Sequence, residues 1–446
     1  ERLLGPDHPD TLATRANIAR WTGEAGNARE ALRLFQALLP DQARLLGPDH
    51  PDTLATRAHI AHWTGWAGDV PEGLRLFQAL LPDWERLLGP DHPQTLTARA
   101  HIAHWTGESG NVPEALQLYQ ALLPDQARLL GPDHPDTLAT RANIARWTGE
   151  AGNAREALRL FQALLPDWER LLGPDHPQTL TARAHIAHWT GWAGNAPEAL
   201  QLYQALLPDQ ARLLGPDHPD TLDTRANIAR WTGEAGNARE ALRLFQELLP
   251  DWERLLGPDH PQTLTARAHI AHWTGWAGDA REALRLFQEL LPDWERLLGP
   301  DHPKTLAARA HIAHWTGEIR NVPEALQLYQ ALLPDWERLL GPDHPDTLAT
   351  RAHIAHWTGE AGNAREALRL FHALLPDWGR LLGLDHPDTL ATRAHIAHWT
   401  GEIRNVPEAL QLYQALLPDQ ARLLGPDHPD TLATRAHIAH LMRDVR

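Results

Sequence analysis

The stretch HIAHWTG at residues 59–65 sets two histidines three apart with a tryptophan directly behind the second, and the same seven residues recur from His101, His185, His269, His311, His353 and His395. Residues three apart share one face of a helix. Such a pair could give two imidazoles to a metal ion, gather charge as pH falls, or line a contact surface. A metal centre needs three or four convergent ligands. The pair supplies two, with no cysteine in the chain and no acidic residue between them, so the sequence predicts no metal and no other cofactor. Ordinary imidazoles titrate near 6.5, so an exposed row of them would charge together between about pH 7 and 5.5. At residues 17–23, 143–149 and 227–233 the motif reads NIARWTG, which pairs Asn17 with Arg20, Asn143 with Arg146 and Asn227 with Arg230.

What positions these pairs is a repeat. Eleven glycines from Gly5 to Gly425 each follow a Leu-Leu pair, and every gap between them is 42 residues with no insertion. A fixed period in this range marks a solenoid of helix pairs. Ten full units fill residues 3–422, and 423–446 start an eleventh, so residues 1–446 read as one array. Since the chain opens on Glu1 inside a unit and carries its one methionine at Met442, we expect it to be part of a longer protein. The last unit decays into HIAHLMRDVR, where Leu441 replaces tryptophan and Arg443 glycine, as a polar capping helix would require.

Positions within a unit are numbered here by the first copy. Asp7, His8 and Pro9 form a helix start, since a polar cap followed by proline suits the first turn. Helix A then runs to about Thr22, with Leu12, Ala16, Ile18, Ala19 and Trp21 at helical spacing, and Gly23 and Gly26 turn the chain. Asn27 and Glu30 make a capping box for helix B. That helix buries Ala31, Leu32, Phe35, Leu38 and Leu39 and continues through Pro40 with a kink until Gly47 and Pro48. No unit covers its own apolar stripe, so each needs a neighbour.

The spacing of Ile18, Ala19, Gly26, Ala31 and Phe35 resembles the tetratricopeptide repeat, and the 42-residue unit with LGPDHPDTL at its joints resembles the longer form found in kinesin light chains. Gly73, in place of the helix B alanine, and Arg320 and Arg404, in place of the turn glycine, depart from that pattern. The resemblance implies an all-α, right-handed superhelix of antiparallel helix pairs whose A helices line a concave groove that holds a peptide or protein segment.

Positions 13, 17, 20 and 24 form one stripe on helix A. Variation among copies concentrates there, and a solvated stripe is the expectation. The candidate groove residues are therefore Asn17 and Arg20, His59, His62 and Trp66, His101 and His104, Asn143 and Arg146, His185, His188 and Trp192, Asn227 and Arg230, His269, His272 and Trp276, His311 and His314, His353 and His356, and His395 and His398. Positions 17 and 20 change together, through shared duplication or through contact at i and i+3. The tryptophans of position 21 read as packing against the next unit. Those of position 24 read as partner anchors or packing. The exchange of Trp84 for Gln42 at position 42 implies partial exposure there.

Forty-one basic against 57 acidic residues give a net charge of −16, spread evenly, which argues against nucleic acid and anionic membrane as partners. No apolar run reaches the roughly 20 residues that span a bilayer. Catalysis needs unlike groups that converge once, whereas this chain repeats the same groups, with one serine (Ser109), one lysine (Lys304) and no cysteine. His8 with Asp7 and Asp10 is read as a cap, not as acid–base chemistry. The sequence thus points to a cytoplasmic, non-enzymatic binding scaffold, the C-terminal arm of a larger signalling protein. The alternative is end-to-end self-assembly through an apolar face at Leu3 and Leu4.

Overall fold

The computed structural model describes residues 5, 7–24, 27–426 and 428–444, and every regular element among them is helical. A helices, such as Pro9–Glu24, Pro51–Trp66 and Pro429–Asp444, alternate with B helices, such as Ala28–Leu45, Val70–Leu88 and Val406–Leu423. The chain divides into two compact units, residues 1–151 and 152–446. Inside each, every helix packs against its sequence neighbours, so the architecture is an α-solenoid.

Each A helix begins at the proline of position 9, whose missing N–H costs nothing in the first turn. The cap is the histidine before it: His50 Nδ1, for example, accepts from the Asp52 N–H at 3.2 Å. Asp7 is a tether instead, taking a hydrogen bond from Arg44 at 2.7 Å. Most described B helices are capped as the box predicts, with Asn27 accepting from the Glu30 N–H at 3.2 Å, whereas Asn321 and Asn405 make no such bond. They continue unbroken through their internal proline.

The A helices extend two residues beyond the expected end, so Gly23 lies inside its helix. Its role is spatial. A Cβ on Gly23 would sit 2.3 Å from the indole of Trp63 in the following repeat, and Gly65 stands in the same relation to Trp105, Gly233 to Trp273 and Gly359 to Trp399. Position 21 thus packs on the preceding repeat, not the next one as expected, as where Trp105 lies against Ala61 and Phe77. Around each such contact lie the inner residues of both repeats. Ala61, Phe77, Ile102 and Trp105 form one cluster, and Ala229, Ala241, Phe245 and Trp273 another.

The turn between the helices is made by the glycine of position 26, as at Gly68, with φ +110°. Gly26 itself is outside the described residues. Arg320 and Arg404 hold the same left-handed geometry, at φ 72° and 68°, so these two departures keep the turn shape. Gly73 marks a close approach of the helices: a Cβ there would meet the Gly65 backbone nitrogen at 2.9 Å.

Position 42 corrects a second expectation. Trp84, Trp252, Trp294 and Trp378 are buried, and so are Gln42, Gln126, Gln210 and Gln420. Trp84 packs with Leu54, Leu80 and the following repeat's Ala98, whereas the glutamines hold their Oε1 atoms buried without a hydrogen-bond partner.

Candidate functional site

The histidine stripe is only partly a solvated surface. At position 17 each imidazole lies face to face on the position 35 ring of the preceding repeat: His59 on Phe35 at 4.7 Å, His101 on Phe77 at 4.8 Å, and His185 on Phe161 at 4.7 Å. His269, His311, His353 and His395 stack in the same way on Phe245, Phe287, Tyr329 and Phe371. Phe35 recurs at helical spacing inside helix B and packs the two repeats together, and the histidine ring completes that stack. These rings therefore belong to the repeat junctions, each with one face on its aromatic neighbour.

At position 20 each histidine stands edge-on to its own tryptophan. His62 meets Trp63 at 4.7 Å, and His104, His188, His272, His314, His356 and His398 repeat the geometry. Positions 17 and 20 meet across repeats: His62 lies 5.7 Å from His101, His272 5.3 Å from His311, and His356 5.4 Å from His395. The result is a ladder of imidazoles running from repeat to repeat.

The Asn/Arg copies are built differently. Asn143 donates to its own helix at the Ala139 carbonyl (3.0 Å), and Asn227 does so at Asp223 (2.9 Å), while Asn17 is exposed. Arg146 bonds Glu108 at 2.9 Å over the Trp147 ring. Arg230 finds Trp192 where Arg146 has Glu108, and its guanidinium lies over both Trp192 and Trp231, at 4.7 and 5.1 Å. Arg20 stacks on Trp21 at 5.0 Å.

Among the described residues a cleft opens on the stripe in each unit, at equivalent positions. One, of about 330 Å³, is lined by Arg20, His59, His62, Trp63, Phe77, Trp84, Gln94 and His101. The other, of about 310 Å³, is lined by Arg230, His269, His272, Trp273, Phe287, Trp294, Lys304 and His311. Beside them stand Trp66 and Trp276, 60% and 59% exposed, with Trp192 at 41%. The sequence reading missed that position 42 tryptophan and position 35 phenylalanine wall these clefts, although their period of one per unit was visible. It also set aside Lys304, whose Nζ donates to the Thr265 hydroxyl at 3.2 Å and lies over the Trp294 ring at 5.3 Å.

Burial governs the charge of the ladder. It pushes His269, His272, His311 and His353 down to about 3 and His62, His101, His314 and His395 to about 4, with neighbouring histidines adding to the effect. For these eight rings the expected charging between pH 7 and 5.5 is corrected, because burial keeps them neutral in that window. Lys304 is lowered by burial and supported by Asp223. Asp223 is an exposed residue, yet desolvation raises its carboxyl to about 6, with Asp220 adding and Lys304 opposing. Among the described residues no group of three or more His, Cys, Asp or Glu side chains is placed to hold a metal ion. No described helix is long and apolar enough to cross a membrane.

A solenoid of helix pairs with a stripe of variable side chains on its A helices defines a class of repeat protein. The tetratricopeptide repeat pattern matches residues 52–124, 101–166, 180–251, 264–334 and 318–376, and a second form of it matches 11–52 and 389–430. The chain belongs to the tetratricopeptide repeat family. Among solved structures it is similar to a putative kinesin light chain of Podospora anserina with nearly identical repeats, at 25% identity over 46% of this chain and 97% of that one, TM-score 0.39. It is also similar to a Rap protein complexed with competence and sporulation factor, at 12% identity over 83% of this chain and 99% of that one, TM-score 0.59. A signal transduction ATPase of Pyrococcus horikoshii with a tetratricopeptide repeat sensor matches at 14% identity over 80% of this chain and 52% of that one, TM-score 0.44. A search of curated proteins gave no match.

Proposed function

We propose that the chain is a non-enzymatic protein-interaction scaffold that holds a peptide or protein segment along the A-helix groove, as a cytoplasmic C-terminal arm of a larger signalling protein. The observation that carries this reading is the pairing of an exposed tryptophan with a cleft, Trp66 in one unit and Trp276 in the other. An indole that is more than half exposed on an otherwise polar stripe is an unusual loss of burial, and tryptophan is the side chain most enriched among the residues that dominate interfaces. The same edge offers imidazole donors that stay neutral, with one arginine at each cleft.

The test is a peptide array probed with the intact chain and with Trp66→Ala/Trp276→Ala. Peptides that bind the intact chain and lose at least about tenfold in affinity to the double variant support the reading, since anchors of this kind are worth about 2 kcal/mol or more. Binding that ignores both tryptophans rejects it.

The apolar face at Leu3 and Leu4, on which the end-to-end alternative rests, lies outside the described residues.

A further inference from the structure

Within residues 152–446 the superhelix touches itself. The turns between A and B helices at Gly152, Gly194 and Gly236 meet segments roughly five repeats further along the chain. A Cβ on Gly152 would lie 3.1 Å from Leu381, one on Gly194 3.4 Å from Pro387, and one on Gly236 3.5 Å from Pro429. Arg155 pairs with Asp385 at 3.8 Å, and Asp385 also accepts from Arg422 at 3.1 Å. All three receiving turns read Ala-Gly, and the two Ile-Arg turns, at 319–320 and 403–404, are not among them. An added Cβ would be tight only at Gly152; at Gly194 and Gly236 it would just reach ordinary contact with the facing proline, so it takes a longer side chain to force these turns apart.

This contact differs in kind from the junction between neighbouring repeats. Sequence neighbours share a buried tryptophan and an aromatic stack. Successive turns share loop backbone, proline edges and an ion pair whose side chains are 52% and 36% exposed, around a cavity of about 350 Å³ bounded by Gly194, Pro197, Asp385, Pro387 and Arg422. Exposed ion pairs contribute little, and a cavity of that size forfeits packing. The contact is also placed to matter: Trp192 and Glu234 end the stripe on their own A helices, and Pro387 and Pro429 come to rest on the turns that follow directly, at Gly194 and Gly236.

We propose that this contact is a latch, which closes the flank of the groove between successive turns of residues 152–446 and opens to admit a partner. The proposal rests on the groove reading above but is tested without any partner. Because the chain has no cysteine, a single thiol at Asp223→Cys, on the groove stripe between Gly194 and Gly236, reports access. Its labelling is compared for a small maleimide and a 5-kDa polyethylene glycol maleimide, with and without Gly194→Arg/Gly236→Arg. Arginine holds this turn geometry at 320 and 404, so the change removes closeness and not the turn.

The small reagent is expected to react equally in both proteins, and the large one at least about fivefold faster when the arginines hold the turns apart, as for a gated site. Equal rates for the large reagent overturn the latch. Independently, Arg155→Cys/Asp385→Cys should be joined within one chain by a short bismaleimide at a rate independent of protein concentration. Failure to join, in a protein whose circular dichroism and melting match the parent, overturns it as well. A groove that binds no peptide would leave both results unchanged.

Discussion

The indole of Trp273 fills the space beside Gly233 of the preceding repeat, where a Cβ would lie 2.3 Å from its ring. This fit is repeated at junction after junction, and it ends where the tryptophan ends: with Leu441 in its place, a Cβ on Gly401 would meet only the Ala409 methyl at 3.6 Å. The same substitution should therefore have opposite effects at the two sites.

Gly233→Ala is expected to destabilise by about 1–3 kcal/mol through overpacking against a rigid ring. Gly401→Ala should stabilise by up to about 1 kcal/mol, because alanine is the better helix residue and nothing crowds it. Combining Gly233→Ala with Trp273→Leu should cost less than the sum of the two single changes. Urea melts of the four proteins check this, and equal effects at 233 and 401 would remove the ring-on-glycine account.

The buried glutamines of position 42 give a second prediction. Gln126 Oε1 is buried without a hydrogen-bond partner in a site that elsewhere takes tryptophan. Gln126→Met keeps the volume and removes the unpaired oxygen, so the melting temperature should rise, by an amount equivalent to about 1 kcal/mol. A fall would mean that the amide makes a favourable interaction.

Stability should fall with acid below neutrality, since the many depressed histidines outweigh the opposite contribution of Asp223, whose carboxyl is raised to about 6. His269, His311 and His353 are held at about 3 in the fold, and His62 and His101 at about 4, below the unfolded value near 6.5. Protons therefore bind the unfolded chain first. This contribution is complete above about pH 6.5 and is drawn down from there toward the folded values. Melting temperatures should hold between pH 7.5 and about 6.5 and fall from there to pH 5, and His311→Gln/His353→Gln should flatten that slope. A pH-independent melting temperature over that span would show the rings to be far better solvated than their stacks imply.

Histidine as a helix cap can be weighed directly. His260 Nδ1 accepts from the Gln262 N–H at 3.2 Å. His260→Ala should cost about 1 kcal/mol, and His260→Ser should recover most of it. Equal stability of the alanine and serine proteins would leave the first turn to Pro261 alone.

The repeat, the helix boundaries to within two residues, the Asn27 cap and the passage of helix B through Pro40 were legible, because period, capping chemistry and proline geometry are local. The burial of Trp84 and the direction in which Trp63 leans were not. Both depend on which neighbour covers a side chain, and a single unit does not encode that. The stripe was legible as a face, but not as a stack of His59 on Phe35. Helical spacing says which residues share a side, whereas the contact belongs to the offset between repeats.

That offset is served by the same fitting at successive joints, Trp63 to Gly23 and Trp399 to Gly359 alike. Removing or inserting one whole 42-residue segment therefore brings together an indole and a hollow that already match. Unequal recombination within the coding sequence would yield arms of other lengths that still fold, so reach can change in a single genetic step without any compensating substitution.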